Sequence, residues 1–256
     1  MIHGGRDASA TFQFLVDAFV GERRVLAPDL RGHGRSDPAP GGYWFLDYLA
    51  DLDALLSALV GAEPVAIVGH SLGGNLACQF AGVRPARVSR LVSLDGFGLP
   101  DRDAAEAPDQ IARWLDAGQV RDPPRVHPDR DAMAARLVAA NPRLDAARAL
   151  FLAENLSRPV PGGFAWAFDP AHRLPFPTLH RRAEWEATIR RITAPALWIG
   201  SETTFPPSLD REPGGLAGRA ALAGADLRRV AGTGHNLHHD RPDAVAALIE
   251  AFLDGG

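Results

Sequence analysis

Pro64-Val65-Ala66-Ile67-Val68 leads directly into Gly69-His70-Ser71-Leu72-Gly73, and a helical pattern opens at Asn75–Ala81. An apolar run this short, stopped by glycine, reads as a strand covered on both faces. Glycine two residues before and two after the serine lets the backbone turn sharply from strand into helix. The serine hydroxyl then projects above the sheet edge, and the N-terminus of the following helix favours negative charge there. A bare G-x-S-x-G is a weak signal. Between a strand and a helix it is a strong one.

The neighbouring sequence repeats the alternation. Arg24–Pro28, Val88–Leu94, Ala196–Gly200 and Leu227–Val230 read as further strands. Leu46–Leu59 carries Leu49, Leu52, Leu55, Leu56 and Leu59 at helical spacing and stops at Gly61, and Asp243–Leu253 is a closing amphipathic helix behind Pro242. Strands alternating with helices predict an α/β fold with a mostly parallel sheet flanked by helices. Residues 98–192 differ. Helical patterns at Gln110–Leu115, Ala132–Ala140 and Arg143–Leu156 are separated by the joints Asp122-Pro123-Pro124 and Pro159-Val160-Pro161-Gly162-Gly163, with no strand-like run. The expectation is a core of residues 1–97 and 193–256, with a mainly helical cap inserted at residues 98–192.

Composition narrows the chemistry. The 256 residues carry a net charge of −4, and all 27 basic residues are arginine. Without lysine there is no Schiff-base enzyme, no G-x-x-x-x-G-K phosphate loop and no kinase strand lysine. One cysteine, Cys78, excludes an intramolecular disulfide framework and a thiolate cluster, and it reads as a small buried hydrophobe. Scattered arginines on an acidic chain argue against a nucleic-acid partner, and no apolar run reaches the roughly 20 residues of a membrane helix. No leader segment is visible at the N-terminus, so a cytoplasmic protein acting on a small molecule is expected.

A serine is a poor nucleophile until a base takes its proton. Of nine histidines, His235 stands out: it lies after a strand and before the last helix, in Ala231-Gly232-Thr233-Gly234-His235. His33 and His70 read as supporting or packing residues. His238, His239 and Asp240 follow His235, but the spacing is not a recognised zinc pattern, so no metal and no cofactor are expected.

Together with Gly69–Gly73, the segment Asp29-Leu30-Arg31-Gly32-His33-Gly34-Arg35-Ser36-Asp37, the His3-Gly4 pair and the Gly234-His235 loop resemble the α/β-hydrolase fold superfamily. The resemblance covers nearly the whole chain and is weakest in the insertion. It implies acyl transfer through a covalent acyl-enzyme, with Ser71 attacking and His235 as general base, then general acid. The oxyanion hole would use the N–H of Leu72 and one from the His3-Gly4-Gly5 loop, at Gly4 or Gly5.

Two departures from the family pattern stand out. The commonest acid position, three residues beyond Gly200, is Thr203, which carries no charge. Asp95, at the end of Val88–Leu94, matches an alternative acid position of the family; Glu202 is the other candidate. Asp95 is favoured because it ends a strand at the carboxyl edge of the sheet, where Gly96 and Gly98 allow the histidine loop to approach. Secondly, only Met1 and Ile2 precede His3, so the first strands of the sheet are expected to be missing.

The expected activity is cleavage of a small carboxylic ester or related acyl substrate. Carbon–carbon bond hydrolases and cofactor-free haloperoxidases of the same fold, or a non-catalytic small-molecule sensor, are the alternatives. Trp114, Phe151, Phe164, Trp166, Phe168, Phe176 and Trp185 are the aromatic candidates for a substrate pocket.

Overall fold

The computed structural model describes residues 1–118, 123–203 and 205–255. In chain order its helices and strands are α1 (Gln13–Asp17), α2 (Phe45–Val60), β1 (Val65–His70), α3 (Leu72–Val83), β2 (Val88–Leu94), α4 (Ala107–Gly118), α5 (Arg130–Ala140), α6 (Ala146–Asn155), β3 (Ser157–Val160), β4 (Gly163–Trp166), α7 (Arg182–Ile189), β5 (Ala196–Ser201), α8 (Gly215–Leu222), β6 (Ala225–Val230), α9 (Leu237–Asp240) and α10 (Pro242–Asp254).

Among the described residues, β1, β2, β5 and β6 form one sheet in the order β1-β2-β5-β6, every pairing parallel. Strand periodicity divides their side chains between two faces. Ile67, Leu91 and Trp198 join the cluster built with Leu52, Leu76, Phe80, Trp185, Ile189 and Ala220, from α2, α3, α7 and α8. Val68, Val92 and Leu197 face the other way, onto Phe12, Leu15, Val245 and Ile249, from the N-terminal helices and α10. Burial on both faces is what the middle of a parallel sheet requires, and it explains why β1 and β5 are apolar without alternation, whereas the edge strand β6 leaves Asp226, Arg228 and Arg229 exposed. All the strands point their carboxyl ends the same way, so Ser71, Asp95 and Ser201 gather at one edge.

On the outer side of β1, Ile2 alone bridges to Gly69 in parallel fashion, its N–H donating to Val68 O at 2.8 Å and its carbonyl accepting from the His70 N–H at 2.9 Å. Arg24–Pro28, expected to be a strand, is not one. Its Leu26 O accepts from the Met1 ammonium at 2.5 Å, and just past it Leu30 N–H donates to His3 Nε2 at 2.9 Å. Alternating ladder bonds are absent there.

Between β2 and β5 lie α4 to α7 and one feature the sequence reading did not anticipate. Pro159-Val160-Pro161-Gly162-Gly163 is not a joint between helices but the end of β3, the Pro161-Gly162 turn and the start of β4 in an antiparallel hairpin. Gly162 takes φ +85° and supplies the turn, while Pro159 is confined to a short two-stranded ribbon where a lost donor is tolerated. Asp122, in the other proline joint, lies outside the described residues. Helices α5 and α6 pack around Leu144, Ala149 and Leu152, each helix capped by an aspartate side chain, Asp129 or Asp145. This unit is tied to the core by Asn141 Nδ2 donating to Asp240 Oδ1 at 2.6 Å and by Arg148 donating to His239 O at 2.9 Å. Among the described residues no helix is long and apolar enough to cross a membrane.

Candidate active site

β1 delivers Ser71 at its carboxyl end, and α3 starts one residue later. Ser71 adopts φ +53°, a conformation that costs a non-glycine residue roughly 1–3 kcal/mol and persists only where the surroundings impose it. The surroundings do so: Ser71 N–H donates to Leu94 O at 2.9 Å, and its carbonyl accepts from the Asn75 N–H at 3.0 Å. A Cβ on Gly69 would lie 2.2 Å from Gly73 O, and one on Gly73 would lie 2.0 Å from Ile2 O. Both positions therefore require glycine. The positive-φ non-glycine residues among those described are Arg6, Ser71 and Asp95, and all three border this edge of the sheet.

His235 arrives on the loop between β6 and α9. Ser71 Oγ–H points to His235 Nε2 at 2.9 Å, and His235 Nδ1–H points to Asp95 Oδ2 at 2.9 Å. The Asp95 side chain is fully buried, whereas that of His235 remains a quarter exposed. A buried carboxylate needs donors, and β5 supplies two: the Ser201 N–H to Oδ1 at 3.1 Å and the Ser201 hydroxyl to Oδ2 at 2.9 Å. That hydroxyl has a single proton and also lies 2.6 Å from Thr203 O, so it serves one acceptor at a time. Ser201 escaped the sequence reading. The available signal was its position at the end of the strand beside Asp95.

Glu202 goes elsewhere. It is exposed, and its carboxylate accepts from the Gly232 N–H at 3.1 Å rather than from the imidazole. Gly96 and Gly98 do not make room for the histidine loop either. A Cβ on Gly96 would meet Ser71 O at 2.5 Å, and one on Gly98 would meet Arg219 Nη1 at 2.5 Å. They serve the packing of the turn and of Arg219.

The Leu72 N–H is the first of α3, and the first N–H groups of a helix have no acceptor within it. Gly4 and Gly5 run alongside: ideal Cβ positions on them lie 3.4 Å from Ser71 Cβ and 3.8 Å from Leu72 Cδ2. His3 fixes that loop. Its Nε2 accepts from Leu30 N–H and its Nδ1–H donates to Gly4 O at 2.7 Å, while burial pushes its pKa down to about 3, so it stays neutral. His33 repeats the pattern: Nε2 accepts from Arg6 N–H at 3.0 Å and Nδ1–H donates to Arg31 O at 3.0 Å. Asp29 accepts from the N–H groups of Ser9 and Arg35, and Arg31 makes a bidentate pair with Asp51 at 2.7 Å for each bond. The 29–37 segment is thus a scaffold for the 3–6 loop, not a source of reacting groups.

His70 Nε2–H donates to His235 O at 2.9 Å, which places it behind the serine as a support for the histidine loop. The Phe205 ring lies over His235 at 3.9 Å between centroids. Ligand-type atoms of Asp7, His70 and His238 lie within 4.8 Å of one another in the same region. Cys78 is fully buried and burial pushes its thiol up to about 12, so it is not a nucleophile.

The aromatic residues between β2 and β5 divide. Trp185 is core, next to Trp198; Phe151 packs on Phe14; Phe164 lies under Arg130. Trp166 and Phe168 line a shallow surface cleft, while Trp114 and Phe176 line a groove with Tyr43, Trp44 and His172.

Comparison with known proteins gives consistent results. The Alpha/beta hydrolase family profile matches residues 1–248. A serine hydrolase-like protein of Danio rerio is 31% identical over 273 residues, covering 98% of this chain and 80% of that protein. Lipase LipV of Mycobacterium tuberculosis is 30% identical over 238 residues, covering 90% of this chain and 83% of the lipase. Among solved structures, the thioesterase domain from the curacin biosynthetic pathway superposes with a TM-score of 0.84 at 28% identity, covering 98% of this chain and 89% of that one.

Proposed function

The chain belongs to the Alpha/beta hydrolase family and is a hydrolase of that fold; we propose that it cleaves a small carboxylic ester or related acyl substrate by way of an acyl-Ser71 intermediate. The observation that carries this reading is the pair of 2.9 Å contacts joining Ser71 Oγ, His235 and Asp95 in line.

The chemistry follows from the contacts. His235 Nε2 takes the hydroxyl proton as Ser71 Oγ attacks the acyl carbon, and the Asp95 carboxylate holds Nδ1–H and stabilises the imidazolium. The carbonyl oxygen, now an oxyanion, is met by the Leu72 N–H and by an N–H of the Gly4-Gly5 segment. The imidazolium then gives its proton to the leaving alcohol or thiol. Water, activated in turn by His235, releases the acid and restores the hydroxyl.

Residues 98–192 act as the cap in this proposal, with substrate choice at their junction with the core. The groove of Tyr43, Trp44, Trp114 and Phe176 is mostly apolar, and a stack of packed rings separates it from the oxyanion loop: Tyr43 on His172 at 3.6 Å, His172 on His33 at 3.9 Å, His33 on His3 at 5.1 Å. An apolar acyl chain suits such a lining. Hydrolysis of p-nitrophenyl esters of increasing acyl length, alongside the matching acyl thioesters, tests the reading. Turnover by the wild type and none by Ser71→Ala is expected. Equal turnover by both would refute it.

A further inference from the structure

Behind Ser71, three segments that share no sequence motif meet: the loop at Asp7, the end of β1 at His70 and the start of α9 at His238. One ligand-type atom from each lies within 4.8 Å of the other two. We propose that Asp7, His70 and His238 form a site for a divalent transition-metal ion of the Zn2+ class, with a carboxylate oxygen and two imidazole nitrogens as ligands and a fourth position left for solvent.

His70 carries much of the argument. Its Nε2–H is committed to His235 O at 2.9 Å, so Nδ1 holds a lone pair and no proton. Histidines that ligate metals are commonly set in this way, the second ring nitrogen donating to a carbonyl. His70 is 2% exposed, yet Nδ1 has no hydrogen-bond partner. Gly4 leaves it accessible, since a Cβ there would lie 2.9 Å from Nδ1.

His238 is 0% exposed, and neither of its ring nitrogens has a partner. A buried polar atom left unmet typically costs about 1–3 kcal/mol. A metal ion would satisfy His70 Nδ1 and one nitrogen of His238 together. The two rings are already adjacent, 4.4 Å between centroids. Burial holds both imidazoles well below 6.5, so they stay neutral and able to donate a lone pair. The same burial pushes the Asp7 carboxyl up to about 7, a penalty that a neighbouring cation would reverse.

Tetrahedral zinc sets its nitrogen and oxygen ligands about 3.3 Å apart. Starting from no more than 4.8 Å, the three ligand atoms would close by up to about 1.5 Å on binding an ion. An ion there would brace the oxyanion loop, β1 and the histidine loop. The site uses none of the proposed triad, so it does not depend on the serine chemistry.

The test is titration of the untagged full-length protein with Co2+, read by visible d–d absorption, followed by displacement with Zn2+. One saturable Co2+ per chain, released by Zn2+, is expected. His238→Gln and Asp7→Asn should each weaken binding by at least the roughly 10- to 100-fold that even the loss of a supporting hydrogen bond costs a metal site. Circular dichroism identifies which variants are folded, and Asp7→Asn keeps the test decisive should His238→Gln not fold. No saturable absorption in the wild type, or wild-type affinity in either folded variant, overturns the proposal.

Discussion

Asp95 Oδ2 lies 2.9 Å from His235 Nδ1, although 140 residues separate the two in sequence. Asp95 ends β2, the strand next to β1, so the carboxylate reaches the imidazole from one strand nearer to the serine than the loop after β5. Ser201, at the end of β5, does not hold the charge but donates to it.

The first prediction rests on that placement. Asp95→Asn removes the charge opposite the imidazolium and favours the wrong tautomer, and kcat for an activated ester should fall on the order of 10^4-fold. Glu202→Gln, at an exposed side chain turned toward Gly232, should stay within about threefold of the wild type. The reverse order in steady-state kinetics would move the acid to β5.

Ser201→Ala removes one hydroxyl donor from Asp95 and leaves the 3.1 Å bond from its own N–H. A hydrogen bond to a charged group contributes about 1.5–3 kcal/mol, so kcat should fall roughly tenfold or more. Because the Ser201 hydroxyl and N–H meet Asp95, the proposed mechanism gives Ser201 no part in substrate binding, and KM should remain unchanged. A rise in KM at constant kcat would contradict this role.

At Gly73 a methyl group would lie 2.0 Å from Ile2 O, so Gly73→Ala must displace the segment leading into the Gly4-Gly5 loop. A loss of about 1–3 kcal/mol in urea unfolding is expected, as for an overpacked site, together with reduced turnover of the folded fraction. A fully stable, fully active variant would show that the close approach is not required.

Acid should destabilise the fold. Burial pushes His3 down to about 3, His239 to about 4, and His70 and His238 well below 6.5. Unfolding returns each to its ordinary 6.5, so below that value the unfolded chain binds protons that the folded chain refuses. Their stabilisation is complete above pH 6.5 and is lost as pH falls, at up to about 1.4 kcal/mol per pH unit for each histidine. Asp7, raised from 3.8 to about 7, works in the opposite sense between those values and offsets one histidine. In metal-free protein, urea midpoints at about pH 7.5 and about pH 5.5 should differ by more than a single titrating group supplies. Equal midpoints would contradict the burial.

Much of this was legible in the chain. Gly69–Gly73 located the turn because sterics leave no alternative to glycine there, and the apolar runs of β1, β2 and β5 announced a sheet buried on two faces. Arg24–Pro28 has strand-like composition, but a strand is made by its partner's hydrogen bonds, which local composition does not reveal. The β3–β4 hairpin was hidden by its own prolines, read as helix joints although Gly162 makes a turn of them. Asp95 could be ranked above Glu202 from strand ends, yet Ser201 could not be seen, because its role exists only across the β2–β5 ladder. The same holds for Asp7, His70 and His238, brought together by the fold alone.

Intact mass and peptide mapping after treatment with a fluorophosphonate probe the central claim most directly. One phosphonyl group per chain, carried on the peptide containing Ser71 and absent from Ser71→Ala, is the expected result. A folded wild type that takes up no label, or a Ser71→Ala variant labelled as fast as the wild type, would show that Ser71 is not the nucleophile.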